Sequence, residues 1–226
     1  MERDDMKSRS GIVDLLRFTA IVLMVIFHFS FDLNAFHLVS IDFFKEPFWY
    51  GLPRLIVSLF MTSMGASLYF SHGKKIRWSS FNKRLIQLIV CATVISVSTY
   101  FIFPQNWIYF GTLHSIATCS ILALPFLRWS RWIGILGVLI IIPHLSGFYY
   151  YPFWSMAHKS MDYIPPLPWL GFVLIGMSLG HSPFAQWALP QNNFTSFITK
   201  VSNHSLIIYL LHQPILWGLV WLISRI

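Results

Sequence analysis

The sequence predicts an all-α, polytopic membrane bundle of about seven transmembrane helices, with its N-terminus cytoplasmic. Three observations carry that expectation. Of the 226 residues, 56% are hydrophobic and only 11% are charged, where soluble domains average about 25% charged; mean hydropathy is +0.62. Apolar stretches of roughly 20 residues recur along the chain, and only helices or closed barrels satisfy their own backbone polar groups in lipid. Lys and Arg also gather in alternate connections, as cytoplasmic loops require. Nothing remains for a soluble domain, so residues 1–226 are read as one integral-membrane domain.

The first span runs from Gly11 to about Asp32. Its polar flank and apolar run resemble a secretion signal, but His28 and Asp32 stand where cleavage would fall, so it reads as a retained helix. The second span covers Trp49 to Phe70, the third Leu85 to Phe103, and the fourth Ile108 to Leu127. The fifth, Trp132 to Phe148, lies between Arg128 and Arg131 and the aromatic cluster Tyr149, Tyr150 and Tyr151. The sixth, Tyr163 to Gly180, opens with Pro165, Pro166 and Pro168, which a helix accepts only in its first turn. Its Gly176 and Gly180 form a small-xxx-small pair that lets a neighbouring helix come close. The seventh, Ser202 to Ile223, contains Pro214, which cannot donate to Leu210 and so frees a carbonyl.

With the N-terminus inside, the cytoplasmic tally is Arg3, Lys7, Arg9, Lys74, Lys75, Arg77, Lys83, Arg84, Arg128, Arg131 and Lys200. Only Lys45, Arg54, Lys159 and Arg225 fall opposite. Trp49-Tyr50, Phe101–Phe103, Trp107–Tyr109 and Phe148–Phe153 supply aromatic ends on that other side, as interfacial belts do. The net charge of +8 therefore reflects membrane orientation, and no aromatic-basic interleaving points to a nucleic-acid partner. Cys91 and Cys119 lie in apolar segments, where thiols behave as small hydrophobes rather than as a disulfide. No HxxxH, HExxH or Cys/His cluster offers a metal ligand set, so no metal is expected.

The exceptional feature is a polar stripe on the first span. Helical periodicity brings Asp14, Arg17, His28 and Asp32 onto one narrow stripe, and ionisable groups in lipid normally face a bundle interior. His28 and Asp32 are one turn apart towards the outer surface, and with His114, Arg54 and Asp162 they are expected to share an outward cavity. An imidazole beside a carboxylate suits a general base; the same groups would also serve as plain interhelical hydrogen bonds. For His37, His72, His144, His158 and His181, in loops or at ends, solvation is the simpler account. Ser205, Tyr209 and His212 share a stripe on the seventh span beside Gln213, and either line a path or bridge helices. Lys74, Lys75, Arg77, Lys83 and Arg84 crowd one inner loop. They serve lipid headgroups or clamp a phosphate-bearing cofactor.

Five segments together resemble a known family. They are Arg9-Ser10-Gly11-Ile12-Val13-Asp14-Leu15-Leu16-Arg17, an R-x₄-D-x-x-R opening, then residues 25–33, Phe110-Gly111-Thr112-Leu113-His114, residues 162–171 around Pro165-Pro166-Leu167-Pro168-Trp169, and residues 204–214 ending His212-Gln213-Pro214. In combination they are similar to the bacterial relatives of the heparan-α-glucosaminide N-acetyltransferase catalytic domain, over essentially the whole chain. The resemblance implies a bacterial inner-membrane, multi-pass acyltransferase. It would move an acetyl group from cytoplasmic acetyl-CoA to an amino-sugar or glycan acceptor on the periplasmic side.

In that reading His28, oriented by Asp32, deprotonates the acceptor, which attacks the thioester directly or through an acetyl-histidine, and Arg54 or His114 steadies the oxyanion. Asp14, Arg17, Lys83, Arg84 and His212 face acyl-CoA, and Arg54, Asp162 and Trp169 face the acceptor. The lysosomal branch carries asparagine near position 28 and its histidine in the following loop, closer to His37, so the base is His28 or His37. A shorter chain than the eukaryotic enzyme implies a reduced core or a partner chain, including a homo-oligomer. The rival functions are a proton-coupled sugar or lipid transporter, with the same groups as a proton relay, and a non-catalytic membrane subunit.

Overall fold

The computed structural model describes residues 10–146, 159–183 and 187–225. Arg3, Lys7 and Arg9 of the inner charge tally, the Phe148 end of the fifth span, the tyrosine cluster and His158 lie outside the described residues. Within them the chain is helical, with a single isolated parallel bridge between Phe110 and Tyr163. The helices are α1 (Gly11–Ala35), α2 (Pro47–His72), α3 (Trp78–Ile102), α4 (Thr112–Leu122), a 3₁₀ turn (Leu124–Arg128), α5 (Ile133–Leu145), α6 (Pro166–Gly180), α7 (Asn193–Asn203) and α8 (Ser205–Ile223).

Four of these, α1, α2, α3 and α8, are long and apolar enough to cross a membrane. The expectation of seven meets shorter pieces elsewhere: α4, α5 and α6 have 11, 13 and 15 residues, or roughly 16–22 Å at 1.5 Å each. Proline explains two of the shortened bounds. Pro125 sits at the start of the 3₁₀ turn that follows α4. Pro165, Pro166 and Pro168 occupy the entry to α6, where Leu167 departs from helical dihedrals. α3 begins seven residues before its apolar run, because Trp78–Arg84 is helical without being lipid-like. The seventh span starts at Ser205 rather than Ser202, since α7 ends with His204 as its C-cap.

The fold divides into two compact units, Met1–Phe60 with Ala188–Ile226, and Met61–Trp187. In the first, α1 packs on α7 and α8 through a face that buries Val13, Ala20, Ile21 and Met24. α1 ends in a left-handed turn: Leu38 N–H donates to Leu33 O at 2.9 Å and His37 N–H to Asn34 O at 3.0 Å. That pattern closes the last carbonyls of a helix and needs a left-handed residue at its pivot. His37 takes the position with φ of 60°. α7 starts on a reciprocal cap, Thr195 N–H donating to Asn192 Oδ1 at 2.9 Å and Asn192 N–H to Thr195 Oγ1 at 3.1 Å, which satisfies two otherwise orphaned donors.

In the second unit α5 packs along α6, and α4 joins α3 and α6. The remainder of α2 meets α6 so closely that a Cβ built on Gly176 would lie 2.0 Å from Thr62 O, and one on Gly65 2.0 Å from Val173 O. Only hydrogen fits at either place. Gly180 faces the Tyr69 ring in the same seam, so the small-residue pair read from the sequence is a helix-packing device.

Candidate functional site

The first unit holds two polar clusters along α1. Near its start, Asp14 is buried at 2% exposure and accepts from Ser202 Oγ at 2.9 Å and Thr199 Oγ1 at 3.3 Å. These hydroxyls come from α7, and they fasten α1 to the segment leading into α8. Arg17 follows one turn later, half-buried.

Fourteen residues beyond Asp14, roughly 21 Å along the axis, lies the second cluster. His28 meets His212 of α8 with ring centroids 4.8 Å apart and planes at 65°. Phe27 abuts His28 at 5.4 Å, and Phe43 abuts Phe27 at 5.6 Å. Tyr209 stands 5.8 Å from the His212 ring, so the imidazole pair has aromatic walls. Asp32 is fully buried. The orienting contact expected from Asp32 to His28 is absent: its Oδ1 accepts from Gln213 Nε2 at 2.8 Å. Gln213 sits on the facing helix and reaches the carboxylate that a neighbour on α1's own face does not. Asp32 Oδ2, His212 Nε2 and Gln213 Oε1 are buried side-chain atoms with no hydrogen-bond partner among the described residues. Buried polar atoms are rarely left so in native folds, and three around one imidazole pair mark a place built to receive donors.

Arg54, also in this unit, is exposed. Its guanidinium donates to Tyr50 O and lies 3.7 Å over the Tyr50 ring. His37 is exposed at the pivot of the turn that ends α1.

The five groups expected to share one cavity divide between the units, with His114 and Asp162 in the second. His114 Nδ1 accepts from Gly111 N–H at 3.2 Å, so its Nε2 carries the hydrogen and donates to Ser96 Oγ at 3.2 Å. Ser96 in turn donates to Ile108 O at 2.6 Å. Both imidazole nitrogens are thereby engaged in pinning α4's entry to α3. Asp162 Oδ2 accepts from Thr112 N–H at 2.9 Å and from Thr112 Oγ1 at 3.1 Å, capping α4. Burial pushes its carboxyl above the usual carboxylate range, against those two hydrogen bonds. Trp169 stacks on Phe172 at 5.6 Å.

Lys83 and Arg84 are exposed on α3's first turns. Arg84 edges a cavity whose other walls include His72, Ser71, Phe81 and Ser120. His72 is buried, and its Nδ1 accepts from Arg77 N–H at 3.2 Å. A guanidinium and a buried imidazole beside the Lys74, Lys75 and Arg77 connection are the donors a phosphate ester would meet. No group of three or more His, Cys, Asp or Glu that could hold a metal ion occurs among the described residues.

The sequence singles out His28, Asp32 and His212 but places His212 with the cofactor; the structure sets it against His28. Gln213 as the partner of Asp32, and Ser202 and Thr199 as those of Asp14, are not legible in it. Their separations of 181, 188 and 185 residues leave no local signal.

A multi-pass helical membrane protein that buries acid and imidazole groups inside a pair of spanning helices is the class this architecture defines. Residues 9–214 match the family described as heparan-alpha-glucosaminide N-acetyltransferase, catalytic, and the chain belongs to that family, one of transmembrane acetyltransferases. No curated protein matches the chain, and no solved structure does.

Proposed function

We propose that the protein transfers an acetyl group from cytoplasmic acetyl-CoA to an amino-sugar or glycan acceptor on the periplasmic side of a bacterial inner membrane, through a single domain spanning the chain. The observation that carries this reading is the His28–His212 pair, with Asp32 and Gln213 beside it and three buried polar atoms awaiting donors. An acceptor amine or hydroxyl offers the N–H or O–H those atoms lack. His28 is the base: it removes the acceptor's proton as the acceptor's new bond to the acetyl carbon forms and the thioester C–S bond breaks. The edge of α3 and its preceding loop, with Arg84, Lys83 and His72, favours the anionic end of acyl-CoA, because guanidinium and imidazole donors match phosphate oxygens. Asp14, tied to Ser202 and Thr199, acts in holding the start of α1.

The test is acetyl transfer from radiolabelled acetyl-CoA to glucosamine by the purified full chain in detergent. Wild type transfers label, and His28→Ala loses on the order of 10²-fold or more while eluting as folded protein. Near-normal turnover by that variant removes His28 from the reaction. A proton-coupled transporter has no use for CoA, so the absence of CoA binding by wild type would favour that rival.

A further inference from the structure

The protonation of the second imidazole is set by the backbone. His212 Nδ1 lies 2.7 Å from Tyr209 O. A carbonyl oxygen only accepts, so Nδ1 carries the hydrogen and Nε2 of the neutral ring is a bare lone pair. That atom is buried without a partner among the described residues. The ring can therefore gain a proton at one place only, and that place is already desolvated and next to His28.

Burial opposes a charge on this ring, and what stands in the same cluster to offset that cost is acceptors rather than cations. From α1, the fully buried Asp32 presents Oδ2 without a donor, and Gln213 Oε1 of α8 is a second unengaged acceptor. The other rings against the pair are Phe27 of α1 and Tyr209 of α8, backed in turn by Phe43 of the following loop and by Phe60 of α2. None of these brings a cation, and Arg54 of α2 is engaged with Tyr50.

Resting on the acetyl-transfer reading above, we propose that His212 is the second proton station of the reaction, taking at Nε2 the proton that His28 relays from the acceptor. The acceptor's proton enters His28 at one ring nitrogen and, once ring rotation sets the other nitrogen's N–H on His212 Nε2, a proton leaves by that bond, so His28 ends neutral. The acceptor's nitrogen or oxygen bonds to the acetyl carbon as the C–S bond breaks. The proton then returns to the CoA thiolate, leaving both rings neutral and CoA as the free thiol. His212 is a positioning and relay residue, distinct from the base itself.

His212→Asn separates this role from a structural one. The asparagine amide keeps a donor for Tyr209 O but has no lone pair at the Nε2 position. The variant is expected to unfold at the wild-type temperature and to bind CoA as wild type does. Its turnover with acetyl-CoA and glucosamine should fall on the order of 10²-fold, with partial recovery on adding imidazole. Turnover within about threefold of wild type overturns the relay. Should the variant not fold, the wild-type protein decides: turnover against the deuterium fraction of the solvent is bowed if two protons move together, and a straight or flat plot overturns the proposal. Absence of acetyl transfer by wild type itself would instead bring down the underlying reading, and this inference with it.

Discussion

Replacing Gly176 with alanine tests how closely α2 and α6 approach. The added methyl would sit 2.0 Å from Thr62 O, 2.8 Å from Thr62 C and 3.0 Å from Ala66 N. A comfortable carbon–oxygen contact is about 3.3 Å, so the backbones must part by roughly 1.3 Å. A gap of that size forfeits more than about a quarter to a half of each dispersion contact along the seam. The obstructing atoms are main chain and cannot swing aside, which places the overpacking near the upper end of about 1–3 kcal/mol. Alanine's better helix propensity offsets about 1 kcal/mol, leaving a net loss of about 2 kcal/mol. Gly218 on α8 is the internal control, because nothing lies within 4 Å of its Cβ position; alanine there should gain up to about 1 kcal/mol. Unfolding in mixed micelles with increasing denaturing detergent reads both. Equal midpoints for Gly176→Ala and Gly218→Ala would refute the close approach. Adding Gly65→Ala to Gly176→Ala should cost less than the sum of the two singles, since the helices have already separated.

Two further outcomes follow from hydrogen bonding and backbone strain. His114→Ala removes the acceptor for Gly111 N–H and the donor to Ser96, so it should destabilise by about 2 kcal/mol at about 1 per bond; an unchanged melting temperature would contradict its role as a cap. His37→Gly relieves a left-handed residue at φ 60° and should stabilise by about 1 kcal/mol or less, read by thermal unfolding. Acetyl transfer in the same variant separates the two candidate bases, with retained turnover leaving His28 and lost turnover choosing His37.

The parts of this fold that follow a local period are legible in the sequence. Asp14, Arg17, His28 and Asp32 share one face because a single helix spaces them, and the prolines around 165–168 mark where α6 begins. α7 escapes because its apolar face is too narrow and its ends too polar to register as a span; the Asn192–Thr195 cap is the signal that could find it. α3 reads as starting late because an apolar run ends where lipid does, and the helix continues beyond. The site is half legible. His28 and Asp32 stand out as ionisable groups in lipid, but what Asp32 does depends on Gln213, which no spacing rule brings to it. His114 shows the reverse: its type suggests chemistry, and its two hydrogen bonds show a cap.

The shortness of α5 reaches beyond the protein. Its 13 residues rise about 20 Å, while a bilayer interior is about 30 Å thick. Ile135, Val138, Leu139, Ile142 and Leu145 are all exposed, so this short helix turns an apolar face outward. Hydrophobic mismatch of this size draws the leaflets together. Were α5 to cross the bilayer, the permeability barrier would thin beside it, and the lipids' own chain length would become a handle on how far anything must be carried across.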